Sequence, residues 1–237
     1  MSPVLLEVCV DDAAGLLAAV EGGADRIELC SALSLGGLTP TAGLMQLAGR
    51  MSVPVYAMIR PRAGDFVFEE TEIAMMEAEI DAARQAGLAG VVLGASLADR
   101  SLDAACLARL VHRTGDMGRT LHRAFDLVPD QAAALETAID LGFKRILTSG
   151  GQKTAAQGIA SITELVRRAG GRLSIMPGSG VTLATVGPLL GIGVSEVHAS
   201  CSASVPTADS HLVELGFAPE TARRTDAGIV RALKAAL

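Results

Sequence analysis

Hydrophobic and polar positions along the chain alternate between two kinds of segment. Short apolar runs typical of strands are separated by Ala-rich segments whose apolar residues recur at helical spacing, as Ile73, Met76, Ile80 and Ala83 do. We therefore predict a repeated strand–helix chain. The predicted strands occupy residues 4–10, 26–30, 55–60, 90–94, 119–125, 145–149, 173–176 and 196–200.

Polar residues mark where the helices begin. Asp11 is predicted to cap the first helix, and Thr39, which precedes Pro40, is predicted to cap the second. Thr71 is expected to begin the third helix, and Pro129-Asp130 the fifth.

A weak internal repeat supports this count of strands. Gly23, Gly87, Gly142 and Gly193 each stand where a helix would stop, a few residues before strands two, four, six and eight. The repeated unit is therefore two strand–helix steps.

Eight such steps favour one fold class, an α/β single TIM-like (β/α)8 barrel. A chain of 237 residues suits one barrel domain over residues 1–237 better than two small domains. A doubly wound open sheet is the alternative, but no GxGxxG motif follows the first strand, so no nucleotide or organic cofactor is indicated. Residues 201–225 form an unusually long connection before a final helix near Asp226, and we expect this connection to cover the barrel mouth or to carry an interface.

Composition narrows the possible partners and locations. The net charge of −6 and the 3% aromatic content argue against nucleic acid. Residues 173–195 carry no charge, but two prolines and five glycines make a membrane span improbable. The start of the chain lacks a secretory pattern, and the four cysteines are widely spaced. We expect a reduced, cytoplasmic protein.

Charged residues interrupt strands that should be apolar on both faces. The residues concerned are Glu7, Glu28, Arg60, Arg62, His122, Arg123, Asp126 and His198. A solvated surface would explain one of them, but on five strands an interior site at the C-terminal barrel face is the better interpretation, because an unpaired buried charge costs several kcal/mol. On the fifth strand His122 is predicted to point inward, and Arg123 reaches the mouth only if the strand bends there.

Two glycine-rich loops follow the late strands and add a possible anion site. Ser149-Gly150 and Gly178-Ser-Gly180 could offer backbone N–H groups to a phosphate or carboxylate, although either could be an ordinary tight turn. Next to the three arginines, a small anionic ligand is favoured.

Cys9 and Cys30 lie at corresponding positions of the first two strands. A free cysteine in a strand is usually a small buried hydrophobe, yet two thiols on one face could bridge a soft metal such as Cu(I). The residues alone favour packing over metal.

Several long segments carry a close resemblance to the CutC copper-homeostasis family, over nearly the whole chain to about Ser202. They are Leu6-Glu-Val-Cys-Val-Asp11, residues 22–31, residues 36–40, Met58-Ile-Arg-Pro-Arg62, residues 64–66, His122-Arg-Ala-Phe-Asp126, residues 134–137, residues 145–150, Met176-Pro-Gly178 and Val197-His-Ala-Ser200. The resemblance implies a TIM-like barrel, a cytoplasmic location, a homodimer or higher homo-oligomer and copper handling, with copper ligands at Cys9 and Cys30.

Two functions therefore compete. The first is a copper-homeostasis protein that binds Cu(I) through Cys9 and Cys30. The second is a lyase, isomerase or hydrolase acting on a small anion. Its candidate catalytic residues are Glu7, Glu28, His122, His198 and Asp126, and its candidate substrate-binding residues are Arg60, Arg62, Arg123, Ser149, Gly150, Gly178 and Gly180.

Overall fold

Eight parallel strands form a nearly closed barrel in the computed structural model, which describes residues 3–237. The order of neighbours is β7-β6-β5-β4-β3-β2-β1-β8, and the Ser174 and Ser195 hydroxyls, at the starts of β7 and β8, lie 3.2 Å apart. The predicted fold class is confirmed. The strands are β1 Leu5–Val10, β2 Arg26–Leu29, β3 Val55–Met58, β4 Gly90–Leu93, β5 Gly118–Leu121, β6 Arg145–Thr148, β7 Ser174–Pro177 and β8 Glu196–Ala199.

Helices follow the strands and cover the outside of the barrel. They are α1 Ala13–Glu21, α2 Ala42–Ala48, α3 Glu70–Gln85, α4 Ala104–Thr114, α5 Gln131–Asp140, α6 Ile159–Ala169 and α7 Val186–Leu190, with α9 Ala227–Ala235 after the last strand. A large apolar core lies between strands and helices, and a smaller one of Cys30, Tyr56, Met58 and Val92 lies inside the barrel. Within residues 3–237 no helix is both long and apolar enough to cross a membrane.

Three helices begin at residues other than those predicted. Asp12 caps α1, because Asp11 accepts the Leu33 N–H at 2.9 Å instead. Thr41 caps α2, since the Thr39 hydroxyl is held between Glu79 and the Arg60 N–H. Helix α3 begins after Glu69, whose reciprocal capping box with Glu72 fixes a start before Thr71.

The glycine repeat and two later caps are as predicted. Gly23, Gly87, Gly142 and Gly193 all have a positive φ, between 76° and 91°, which only glycine adopts without strain. Asp130 caps α5 and Asp226 caps α9 through their side chains.

The fifth strand is shorter than predicted. It ends at Leu121, and Arg123–Leu127 forms a 3-10 turn with Phe125 packed into the outer core. The His122 ring accepts the Ala124 N–H and so stabilises this turn. The chain therefore bends after Leu121, which is the bend that the prediction for Arg123 needed.

Residues 201–225 are folded rather than an open connection. Strands β9 Ser202–Pro206 and β10 Thr221–Thr225 pair as an antiparallel ribbon, joined through the short helix α8 Ser210–Glu214. The ribbon returns the chain to the barrel, where the Asp226 N–H bonds the Cys201 carbonyl and Val230 of α9 packs against Gly22 at the end of α1.

Candidate functional site

A cavity of about 520 Å³ opens at the C-terminal ends of the barrel strands. Seven of the residues predicted from sequence line it, from β1, β2, β8 and the segments after β3 and β5. They are Cys9, Glu28, Arg60, His122, Arg123, Asp126 and His198. Residues on both sides of the barrel thus converge on one space, as is usual for sites in this fold.

Three chemically different side chains meet on the β1, β2 and β8 side of this cavity. One ligand atom each from Cys9, Glu28 and His198 lies within 4.8 Å of the other two. Strand register brings them together, because Cys9 is paired with Glu28 across β1 and β2, and His198 is paired with Glu7 across β1 and β8. All three are buried, and we call them the thiol–imidazole–carboxylate cluster.

Glu7 lies beneath the cluster and holds the His198 ring. Its Oε1 is 2.9 Å from His198 Nδ1, and its Oε2 is bonded to the Arg26 guanidinium. Burial opposes ionisation of Glu7, but the charge of Arg26 and the hydrogen bonds from His198 and Arg26 outweigh burial and lower the pKa of Glu7 to about 2. Glu7 is therefore an ionised anchor and makes no contact with the cavity.

The pKa values of Glu28 and His198 are raised, whereas that of Glu7 is lowered. Burial raises the pKa of Glu28, and the nearby charge of Glu7 adds to the effect. Burial alone would lower the pKa of His198, but the charge of Glu28 and the hydrogen bond with Glu7 outweigh it and raise that pKa. His198 Nε2 lies 3.7 Å from Glu28 Oε2, beyond hydrogen-bond distance, so a proton would pass between the imidazole and the carboxyl through a bound ligand or water.

Cys30 occupies a different position from Cys9. Its thiol donates to Glu28 Oε2 at 3.6 Å, it is 0% exposed, and it packs against Gly37. Cys9 is 8% exposed and lines the cavity. Burial and the charge of Glu28 raise the pKa of Cys30 well above that of an ordinary thiol. The predicted Cys9–Cys30 pair stays a prediction, and Glu28 lies against both thiols.

Arg60 and His122 occupy the β3 and β5 side and pack against one phenyl ring. The Arg60 guanidinium carbon lies 4.8 Å from the Phe66 ring centre, and the His122 ring centre lies 4.8 Å from it. His122 points inward as predicted, and burial with the charge of Arg60 lowers its pKa to about 3. His122 is thus a neutral imidazole, and its catalytic role stays a prediction.

Three buried polar atoms of cavity residues have no hydrogen-bond partner among residues 3–237. They are Glu28 Oε1, Arg60 Nε and His122 Nε2, and we call them the open polar atoms. A buried group without a partner costs roughly 1–3 kcal/mol. Their gathering around one cavity indicates a site built to bind a polar ligand.

The first glycine-rich loop already contains an anion, which corrects one prediction. The Asp126 carboxylate accepts the N–H groups of Ser149 and Gly151 at 3.0 Å and the Thr148 hydroxyl at 2.5 Å. Arg123 closes the arrangement through Asp126 at 2.7 Å and the Ser149 hydroxyl at 2.8 Å. Asp126 thus occupies the loop N–H groups that were predicted to bind a substrate anion, whereas its catalytic role stays a prediction.

Arg62 and the remaining predicted glycines lie beside the cavity rather than on its wall. Arg62 turns toward Glu72 at 2.5 Å and stacks on Phe68. Gly150 packs against Gly158, Gly178 against Leu147, and Gly180 against Thr154. The N–H of Gly178 is bonded to the Thr148 carbonyl, and the residue of the second loop that faces the cavity is Ser179.

A polar layer lies beneath the cavity and was not predicted from the sequence. Arg26 bonds both Glu7 and Glu196, and Arg145 lies 3.2 Å from Glu196; both guanidinium groups pack on the Tyr56 ring. The signal was present in the sequence, because Arg26 and Glu196 each stand two residues before an inward cluster residue on the same strand and so share its face.

Fold and site together define the class: a (β/α)8-barrel protein with a buried thiol–imidazole–carboxylate cluster at its C-terminal face. The sequence model of the CutC family matches residues 4–203, and the chain belongs to this family. A CutC family protein of Sinorhizobium medicae is 61% identical, over 100% of this chain and 97% of that protein. One from Caulobacter vibrioides is 50% identical over 98% and 96%. The crystal structure of CutC from Streptococcus agalactiae, a protein assigned to copper homeostasis, superposes with a TM-score of 0.80 at 31% identity, covering 83% of this chain and 98% of that one.

Proposed function

We propose that this protein binds Cu(I) in the cytoplasm as a copper-homeostasis protein, with Cys9 and His198 as the first ligands. The observation that carries the proposal is the thiol–imidazole–carboxylate cluster, whose three ligand atoms lie within 4.8 Å of one another at an open cavity. Membership of the CutC family supports copper as the metal.

The donor set fits a soft ion delivered from solution. Cu(I) prefers thiolate and accepts imidazole, whereas the hard carboxylate of Glu28 is a weak ligand for it. Cys9 lines both the barrel cavity and a neighbouring cavity of about 590 Å³ beside the β9–β10 ribbon, so an ion can reach it from either side.

Cys30 is the proposed second thiolate. It becomes a ligand only after losing its proton and its hydrogen bond to Glu28, and burial opposes that step. Cu(I) would supply the compensating charge, because metal binding favours the deprotonated thiol. The four cysteines are free in the described part of the chain, as a reducing compartment favours.

Anaerobic Cu(I) titration against a chromogenic chelator tests the proposal. We expect near-stoichiometric binding, lost in Cys9→Ser and unchanged in Cys106→Ser, which alters a buried thiol of α4. Of His198→Gln and Cys30→Ser, the variant that loses more Cu(I) affinity identifies the second ligand. Wild-type affinity in Cys9→Ser would overturn the site.

We also propose that the protein forms a homo-oligomer through residues 205–217. Phe217 is 79% exposed there, and Leu212, Leu215 and Val205 are also exposed, which is more apolar surface than one short segment usually presents to water. A second copy is the occupant that the family resemblance suggests. Light scattering after size exclusion should give a multiple of 24.2 kDa for the wild type and a smaller mass for Phe217→Ser; a wild-type monomer would reject this.

A second function is favoured by the open polar atoms, which a copper site does not need. We propose that the same cavity carries out acid–base chemistry on a small anion, with Glu28 and His198 as the proton-transferring pair. Isomerase, lyase or hydrolase reactions all use such a pair. Incubating the copper-free protein with candidate substrates and following proton exchange by NMR tests it; Glu28→Gln should abolish exchange, whereas Glu79→Gln, on the outer helix α3, should not.

A further inference from the structure

We propose that Arg60 and His122 form a seat for one monoanionic carboxylate, which makes small monocarboxylic acids the ligand class of the cavity. Both residues line the cavity, and each keeps one buried N–H donor without a partner, which matches the two oxygens of a carboxylate. The inference rests on the second proposed function, because it names the substrate class on which Glu28 and His198 would act.

The Arg60 guanidinium is fixed so that one donor remains available. Nη1 donates to the carbonyls of Leu35 and Gly37 at 3.1 and 3.2 Å, and Nη2 donates to the Gly64 carbonyl at 2.9 Å. These backbone carbonyls orient the group without neutralising its charge. Nε is left as an open polar atom, and the positive charge is left without a carboxylate partner within residues 3–237.

His122 has a defined tautomer. Its Nδ1 accepts the Ala124 N–H at 3.2 Å and must therefore be the unprotonated nitrogen of a neutral ring. The proton then lies on Nε2, which is an open polar atom and is buried. The turn after β5 thus presents His122 to the cavity as a hydrogen-bond donor at all pH values where the ring is neutral.

Phe66 packs against both residues of the seat. Its ring lies 4.8 Å from both the guanidinium carbon and the imidazole centre. Phe66 is itself fixed by its carbonyl, which accepts the Ser96 N–H at 2.8 Å. Desolvated donors of this kind bind an anion more strongly than exposed ones.

Charge and donor number favour a carboxylate over a phosphate. Two donors satisfy two oxygens, and the loop N–H groups that could serve a third oxygen are occupied by Asp126. Arg123 also lines the cavity but is paired with Asp126, so Arg60 is left as the unpaired arginine and balances one negative charge rather than two. The other end of a bound acid would lie against Glu28 and His198, which line the same space.

Calorimetric titration of the copper-free protein tests the seat, with pyruvate, lactate and acetate as monocarboxylates and inorganic phosphate as the competing anion. We expect at least one monocarboxylate to bind with a Kd below a few millimolar and more tightly than phosphate. Arg60→Gln and His122→Phe should weaken binding at least tenfold, and His122→Gln, which restores an N–H donor, should recover part of it. Arg109→Gln, which changes an arginine of the outer helix α4 paired with Glu77, is the control and should bind as the wild type does.

Each alternative outcome decides the matter. If no monocarboxylate binds at concentrations of about 10 mM, or if phosphate binds more tightly, the proposed seat is wrong. If Arg60→Gln does not fold, the pair His122→Phe and His122→Gln carries the test, together with nitrogen NMR, in which the ligand should shift His122 Nε2 and leave Nδ1 nearly unchanged. Binding without any proton exchange would retain the seat and reject the second function.

Discussion

His198 Nδ1 lies 2.9 Å from Glu7 Oε1, so the ionised Glu7 carboxylate accepts a hydrogen bond from the Nδ1–H group and leaves Nε2 directed toward Glu28. A carboxylate that fixes the tautomer of a ligating histidine commonly raises metal affinity 10–100-fold. We predict that Glu7→Gln weakens Cu(I) binding by a factor in that range, measured by chelator competition.

Glu196→Gln is the control for that change. Glu196 also bonds Arg26 but makes no contact with His198, so this variant should lose comparable folding stability with little change in Cu(I) affinity. Equal losses of affinity in the two variants would mean that Glu7 acts through general stability alone.

The Asp126 carboxylate accepts hydrogen bonds from the N–H groups of the loop after β6. We predict that Asp126→Ala lowers the free energy of unfolding by roughly 2 kcal/mol, because several partly buried donors that bonded a charged group lose their acceptor. Formate should restore part of the melting temperature by occupying the vacated N–H groups. Asp130→Ala removes only a helix cap and should show no formate effect; equal rescue of both would contradict this explanation.

Tyr56 fits inside the barrel because β4 and β5 carry glycine beside it. A Cβ on Gly118 would lie 2.0 Å from the Tyr56 hydroxyl. We predict that Gly118→Ala costs about 2 kcal/mol or more in urea unfolding, as overpacking does. Adding Tyr56→Leu should make the combined loss less than additive.

Gly43→Ala gives the matched control, since within the described residues a Cβ at this α2 position meets no atom within 4 Å. This variant should be neutral or slightly stabilising. Additive losses for Gly118→Ala and Tyr56→Leu would show that the two residues do not compete for space.

The position of the site could be predicted because strand parity is a local property. Glu7, Glu28 and His198 interrupt apolar strands, and alternation sends each of them inward wherever the barrel closes. His122 was placed correctly by the same argument. This reasoning needs only the neighbours of each residue along its own strand.

Partners far apart in sequence could not be predicted. Asp126 fills a loop that lies 22–25 residues later, and nothing local distinguishes that loop from one awaiting a substrate phosphate. Arg62 follows the end of β3, where alternation no longer fixes direction, and Glu72 ten residues on draws it away. The ribbon of residues 202–225 was missed because its strands are polar and exposed, without the apolar alternation that marks a buried strand.

Burial of a neutral His122 makes stability depend on pH. Its pKa falls from 6.5 to about 3 on folding, because burial and the charge of Arg60 oppose protonation. Below pH 6.5 His122 is therefore protonated in the unfolded chain but not in the folded protein. The free energy of unfolding consequently decreases as pH falls from 6.5 toward 3. Between pH 7.5 and pH 5 this residue alone should cost about 2 kcal/mol. Urea unfolding at both pH values should show that His122→Gln, which has no such titration, loses less stability than the wild type by this amount. Equal losses in the two proteins would show that His122 is protonated in the folded state, and would remove the neutral donor from the carboxylate seat.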